Sequence, residues 1–344
     1  MPATDNSRLK VLDALRGFAA LFVLIFHCTM FRPEAKFGFF LGITGVDLFF
    51  MISGFVIFMS LEKSKNAKNF LVSRFIRLFP IYWVITTFTF LLFFILNLFD
   101  GVIPYTEISL KTYLVNLSMV QYYFDVPNVS GSYWTLIIEL LFYLFVLVIF
   151  IFKALRFIVP IGIVINGLIF LLVFLINNYS LADFTHTFPL IYHFPMFFIG
   201  ILFYKMRLDK SKIVPYILII LPCLFLQLYL ADYGRATQFM SLYAYGIMLG
   251  IYLIIFLFFI LDKLNFIVNS ATVYLGEISY SLYLVHQPLS YCLIIPYFTD
   301  ILKINFWIST LLIAIPVSIL VSIFLTYKIE QPLRIYLRKK MIRS

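Results

Sequence analysis

The sequence predicts an all-α, polytopic integral membrane protein, and three observations carry that reading. The 344 residues are 63% hydrophobic and only 12% charged, with a mean hydropathy of +1.02, far from a soluble globular composition. Apolar runs near the roughly 20 residues needed to span a bilayer recur from end to end. The cations alternate by gap. Twenty of the 26 Lys and Arg fall on one side: Arg8 and Lys10, Lys63 to Arg77, Lys153 and Arg156, Lys205 to Lys212, Lys263, and Lys328 to Arg343. Five fall on the other: Arg32, Lys36, Lys111, Arg235 and Lys303.

About ten spans are expected, near 12–30, 41–61, 80–98, 133–152, 157–177, 188–206, 213–230, 239–261, 272–295 and 304–327. With the basic gaps inside, both termini are cytoplasmic. The formal charge of +10 is then a consequence of topology, and nucleic acid is not an expected partner. The first run contains Asp13 and Arg16, unlike the apolar core of a cleaved signal peptide. One transmembrane domain over 1–344 is expected, with no fused soluble domain. Cys28, Cys223 and Cys292 all fall in predicted spans and read as apolar filler. The longest outer stretch, 99–132, includes a short helix near 107–121. The longest inner stretch, 62–79, reads as an interfacial amphipathic segment, with Pro80 opening the third span.

The ionisable residues inside the runs point to function. Arg16 and His27 are eleven residues apart, about three α-helical turns, so they share a face about 16 Å apart along the axis. Such groups are expensive in a bilayer and face a polar path in preference to lipid. Odd spans rise outward and even spans return. On that ladder Asp47 and Glu139 each lie about six residues, or about 9 Å, below the outer boundary. His27, His193 and His286 fall in the same outer half. The inner side carries Arg16, three residues after Asp13, and the Arg74/Arg77 pair, also three apart. Arginine forks suit phosphate, so a phosphorylated donor entering from the cytoplasm fits this layout. The same arginines also suit plain anchoring among anionic headgroups, and His193 and His286 also suit hydrogen-bonded packing.

Six segments resemble, in order, the membrane acyltransferase-3 family, which includes bacterial O-antigen and exopolysaccharide O-acetyltransferases. Leu12-Asp13-Ala14-Leu15-Arg16-Gly17 through His27 is similar to the family's first helix, a basic residue followed eleven positions later by histidine. Gly45 to Phe55 resembles the second helix, and Arg74-Phe75-Ile76-Arg77-Leu78-Phe79-Pro80 the entry to the third. Ser132-Tyr133-Trp134-Thr135-Leu136-Ile137-Ile138-Glu139 resembles the Trp-Ser/Thr-Leu-x-x-Glu helix. Ile278 to His286 resembles the penultimate helix, and Ile329-Glu330-Gln331-Pro332 the tail motif. Two positions depart from the common pattern. Leu140 stands where many relatives carry a second carboxylate, and Gln331 stands where lysine is common.

The resemblance implies O-acyl transfer, most often of acetyl, from cytoplasmic acetyl-CoA to a hydroxyl of a cell-surface or lipid-linked polysaccharide. It implies a multi-pass protein of the cell's inner (cytoplasmic) membrane, working in the lipid bilayer beside polysaccharide-biosynthesis proteins. Arg16, Arg74 and Arg77 would hold the CoA phosphates, and no metal is expected. His27 would act as general base on the acceptor or as acyl carrier. Asp47 or Glu139 would orient its ring. Trp134, Tyr133 and Ser132 would face the sugar. The competing reading is a transporter or flippase for a lipid-linked sugar, which uses a polar path but no acyl donor.

Overall fold

The structure, a computed structural model, describes residues 4–36, 38–97, 108–175, 187–234 and 236–342, with side chains described within 10–341 of these. Part of the outer stretch and the end of the fifth expected span lie outside these residues. Among the described residues there is no strand. Eight helices are long and apolar enough to cross a membrane: Lys10–Thr29, Phe40–Glu62, Ala67–Asn97, Gly131–Ile151, Leu155–Leu175, Lys210–Ala231, Leu242–Ile260 and Phe306–Met341. The two other expected spans are also helical. One is short, Phe194–Leu208. The other, Ser270–His286, runs on into π-type turns.

Helices are named α1 Thr4–Thr29, α2 Gly45–Glu62, α3 Ala67–Asn97, α4 Leu110–Asn116, α5 Trp134–Ile151, α6 Ile158–Leu175, α7 Phe194–Leu208, α8 Ile213–Ala231, α9 Leu242–Ile260, α10 Ser270–His286 and α11 Ile315–Leu325. The chain divides into two compact units. One comprises Met1–Ala19, Ile43–Phe70 and Ile138–Val273; the other comprises Ala20–Gly42, Leu71–Ile137 and Tyr274–Ser344.

The first unit is built on close backbone approach. A Cβ on Gly54 of α2 would lie 2.0 Å from the Phe197 carbonyl oxygen, and one on Gly200 of α7 would lie 2.1 Å from that of Met51. Only glycine permits this contact, the small-residue logic of membrane helix pairs. Aromatic rings fill the space around it. Phe197 stacks on Phe142 at 4.2 Å and lies 4.7 Å from Phe50. Helix α7 has 15 residues, about 22 Å, and nearly all of them are buried. Encased in protein, it has no need to match the bilayer's thickness. Helix ends that the charge ladder puts inside meet one another. Glu62 accepts from Lys205 at 2.6 Å and from Tyr204 at 2.8 Å. Asp262 accepts from Arg207, and from Lys210 at 3.0 Å.

The second unit is threaded with buried polar groups. Helix α3 does not open at Pro80. It starts at Ala67, where the Asn66 side chain accepts from the Asn69 amide at 2.8 Å, and passes through Pro80 to Asn97. The expected interfacial segment 62–79 is therefore mostly the first half of this helix. Asparagine capping outweighs the one hydrogen bond that an internal proline removes. The outer half of α3 is tied to α4 by Tyr82 donating to the Asn116 carbonyl at 2.6 Å and Trp83 to that of Leu117 at 2.8 Å. On the predicted outer loops, Arg32 pairs with Asp300 at 3.2 Å.

The last run carries a buried stripe at four-residue intervals: Thr310, Ala314, Ser318, Ser322, Thr326 and Glu330. In a pure α-helix each such step drifts by about 40°. A π turn holds about 4.4 residues and drifts the other way. Here π turns at Ser309–Ala314 and Thr326–Glu330 bracket α11. The alternation keeps hydroxyls and carboxylate on one side. Ser281 of α10 donates to Glu330 at 3.0 Å.

Candidate functional site

Helix α1 is uninterrupted, so Arg16 and His27 keep their eleven-residue spacing on one helix. Arg16 lies 4.0 Å from Asp13, as their three-residue separation leads one to expect. Arg74 and Arg77 are three apart on α3, both half-buried.

His27 meets a second histidine in its own unit. Its Nδ1 is 2.9 Å from the Val23 carbonyl oxygen and 3.1 Å from Nε2 of His286. The ring centroids are 4.8 Å apart at 63°. Nδ1 of His286 faces two further carbonyls, Tyr283 at 2.8 Å and Leu282 at 3.1 Å. Carbonyl oxygens only accept, so both Nδ1 atoms carry hydrogen. His286 then offers an Nε2 lone pair to the His27 Nδ1–H. His27 keeps its own Nε2 unprotonated, and that nitrogen makes no hydrogen bond to a described residue. His286 is 1% exposed, whereas His27 is half-buried. The pair thus has a closed member and an open one.

The neighbourhood explains why His286 stands where it does. Pro288 supplies no N–H, and the helix widens to π-type bonding from Gln287. Carbonyls of the preceding turn are then short of helical donors. Side chains supply them. His286 serves Leu282 and Tyr283, Ser132 donates to Tyr283 at 3.4 Å, and Tyr133 reaches Leu284 at 3.5 Å. The loop before α5 is clamped in return. The Tyr283 hydroxyl donates to the Ser132 carbonyl at 2.7 Å and lies 2.6 Å from the Thr135 hydroxyl. A Cβ on Gly131 would lie 2.7 Å from the Gln287 amide nitrogen.

The other expected site residues are placed as follows. Ser132 and Tyr133 are fully buried in this clamp, and Trp134 is half-buried. Asp47, in the first turn of α2, is buried and accepts from the Tyr245 hydroxyl. Tyr245 in turn accepts from Gln227 at 3.2 Å. Glu139 accepts from Tyr143 one turn along α5, at 2.5 Å. Both carboxylates belong to the first unit and have tyrosine donors of their own. The groups at Nδ1 of His27 are Val23 and His286. Cys28 turns to Ser290 instead, and His193 sits 4.8 Å from the Phe50 ring. The sequence reading set His286 at a depth near that of His27 but left its packing role open. Its depth beside His27 was the available signal.

On the predicted inner loops, the hydrogen bond from Arg207, with Lys210 beside it, holds the Asp262 carboxyl down to about 2. This cluster ties helix ends and lies among the predicted inner loops.

Comparison with known proteins identifies the family. An acyltransferase domain family model, acyltransferase-3, matches residues 9–327. A protein of Acidianus two-tailed virus named "Putative acetyltransferase ORF330" is 28% identical over 294 residues, 79% of this chain and 80% of that protein. "Protein 2 in picA locus" of Rhizobium radiobacter is 36% identical over 89 residues, 24% of this chain and 44% of that protein. No solved structure matches. With its multi-pass helical architecture and a match over nearly its whole length, the chain belongs to the acyltransferase-3 family and is an acyltransferase.

Proposed function

We propose that the chain transfers an acyl group, most simply acetyl, from cytoplasmic acyl-CoA to a hydroxyl of a cell-surface or lipid-linked polysaccharide, in the cell's inner membrane. The observation that carries the reading is the open Nε2 lone pair of His27, on the helix that also bears Arg16. A lone pair aimed away from the ring's anchoring contacts is what a base or nucleophile needs. In the overall reaction the thioester C–S bond breaks and an ester C–O bond forms. The hydroxyl proton ends on the CoA sulfur.

In this reading Arg16, Arg74 and Arg77 take the CoA phosphates. Asp47 and Glu139 are proposed as further carboxylates serving the reaction, each already bonded to a tyrosine, Tyr245 and Tyr143. Trp134 is the half-buried aromatic suited to a sugar face. Ser132 and Tyr133 hold its loop in place. His27 takes the acceptor proton directly or carries the acyl group as an acyl-imidazole. Exchange of labelled CoA into acetyl-CoA without acceptor distinguishes these, since only the carrier route supports it. Polysaccharide-biosynthesis proteins that supply the acceptor are the expected partners.

The test is incubation of the purified protein with labelled acetyl-CoA and acceptor polysaccharide, alongside mass spectrometry of surface glycans from cells with and without the gene. Label on the glycan, and an ester missing when the gene is deleted, support the proposal. Sugar translocation with no acyl transfer would favour a flippase.

A further inference from the structure

We infer that His286 is a positioning residue of the acyl-transfer centre, holding His27 in the tautomer that leaves Nε2 free to accept a proton or an acyl group. The inference rests on the acyl-transfer reading above and adds a residue to it. In water the two neutral imidazole tautomers interconvert freely. Here the alternative tautomer of His27 would set an Nδ1 lone pair against the Val23 oxygen at 2.9 Å and the His286 Nε2 lone pair at 3.1 Å. Two repulsions would replace one N–H shared between two acceptors.

His286 is itself unable to switch. Its Nδ1 faces the Leu282 and Tyr283 oxygens, and a lone pair there would meet both. The two contacts on His27 are not equivalent. Val23 lies one turn back on the same helix, and its oxygen is also the α-helical acceptor for the His27 amide. His286 comes from another helix, so it fixes the ring's rotation as well as its proton. Its own place is set by Pro288 and by the clamp of Ser132, Thr135 and Tyr283. A chain of positioning therefore runs from the loop before α5 through α10 to the His27 ring. The third member of a hydrolase triad plays this part with a carboxylate. A neutral histidine does so without adding a second buried charge beside a group that becomes cationic.

The experiment compares His286→Ala, His286→Gln and His27→Ala in the full-length protein, with folding followed by size-exclusion and thermal unfolding. The readouts are kcat, KM for acetyl-CoA, and the imidazole ¹⁵N shifts of His27. His286→Ala is expected to lower kcat about 10- to 100-fold, by analogy with the loss of a partner that orients a metal-bound histidine, with KM unchanged. Its His27 shifts should move from one tautomer toward a mixture. Glutamine, which can still accept from Nδ1–H, should recover most of kcat and the single tautomer. Full kcat in folded His286→Ala, or loss in KM alone, would overturn the inference. If alanine does not fold, the glutamine variant's shifts decide, and a mixed tautomer there would overturn it. Silence of His27→Ala with full activity of His286→Ala would sink this inference alone. Activity of His27→Ala would sink both it and the role assigned to His27.

Discussion

The two units solve the same problem, holding helices together in an apolar solvent, by different means. The first relies on contact. Gly54 and Gly200 let α2 and α7 touch backbone to backbone, and phenylalanines close the gaps. Its buried carboxylate Asp47 is quieted by a tyrosine. The second relies on hydrogen bonds. Ser132, Tyr283, His27, His286, Ser281 and Glu330 are linked to neighbouring helices or loops by polar side chains. Contact packing tolerates no added atom but asks for no proton. Hydrogen-bonded packing is the costlier choice in hydrocarbon, and its presence around His27 is in keeping with the role proposed for that residue.

The sharpest way to break this contrast is to add atoms to the first unit. Gly200→Leu puts a side chain where a Cβ alone would lie 2.1 Å from a carbonyl oxygen. The cost should exceed about 4 kcal/mol, in the range that abolishes folding. Purification should yield no monodisperse protein, and a normal unfolding temperature would contradict the contact account. Removing atoms from the second unit should do less. Glu330→Ala strands the Ser281 hydroxyl, at a cost of about 1–3 kcal/mol, visible as a lowered unfolding temperature in a protein that still folds. No change would show that the buried stripe is not held by this bond.

The parts of this contrast legible in the sequence were those written in one helix. The eleven-residue spacing of Arg16 and His27, the Arg74/Arg77 pair and most spans follow from periodicity alone. The parts that escaped depend on neighbours. Helix α7 is short because protein, not lipid, surrounds it, and hydropathy sees no difference between the two. Helix α3 starts at Ala67 and not at Pro80 because the Asn66 side chain accepts from the Asn69 amide there. The pairing of His286 with His27 joins positions 259 residues apart. It depends on Pro288 widening the helix, which no periodicity announces. The burial of Ser132 and Tyr133 likewise follows from α10, not from their own turn.

The smallest expected effect lies on the predicted inner loops. Asp262 is held at about 2 by Arg207, below its ordinary 3.8. Its contribution is therefore complete above pH 4 and fades as pH falls toward 2. The side chain is about a third exposed, so solvent screening keeps the contribution under about 1 kcal/mol. Unfolding temperatures of wild type and Asp262→Asn should differ slightly at pH 6, draw together below pH 4 and converge only near pH 2. A difference that widens on acidification would contradict the assigned sign.

The most direct test of the central claim is single-turnover transfer of labelled acetyl from acetyl-CoA to acceptor polysaccharide by purified wild type and His27→Ala, matched for folded protein. The account predicts labelled glycan with wild type. It predicts a loss of at least about 10²-fold, the low end for a missing general base, with His27→Ala. Equal transfer by both proteins would contradict it.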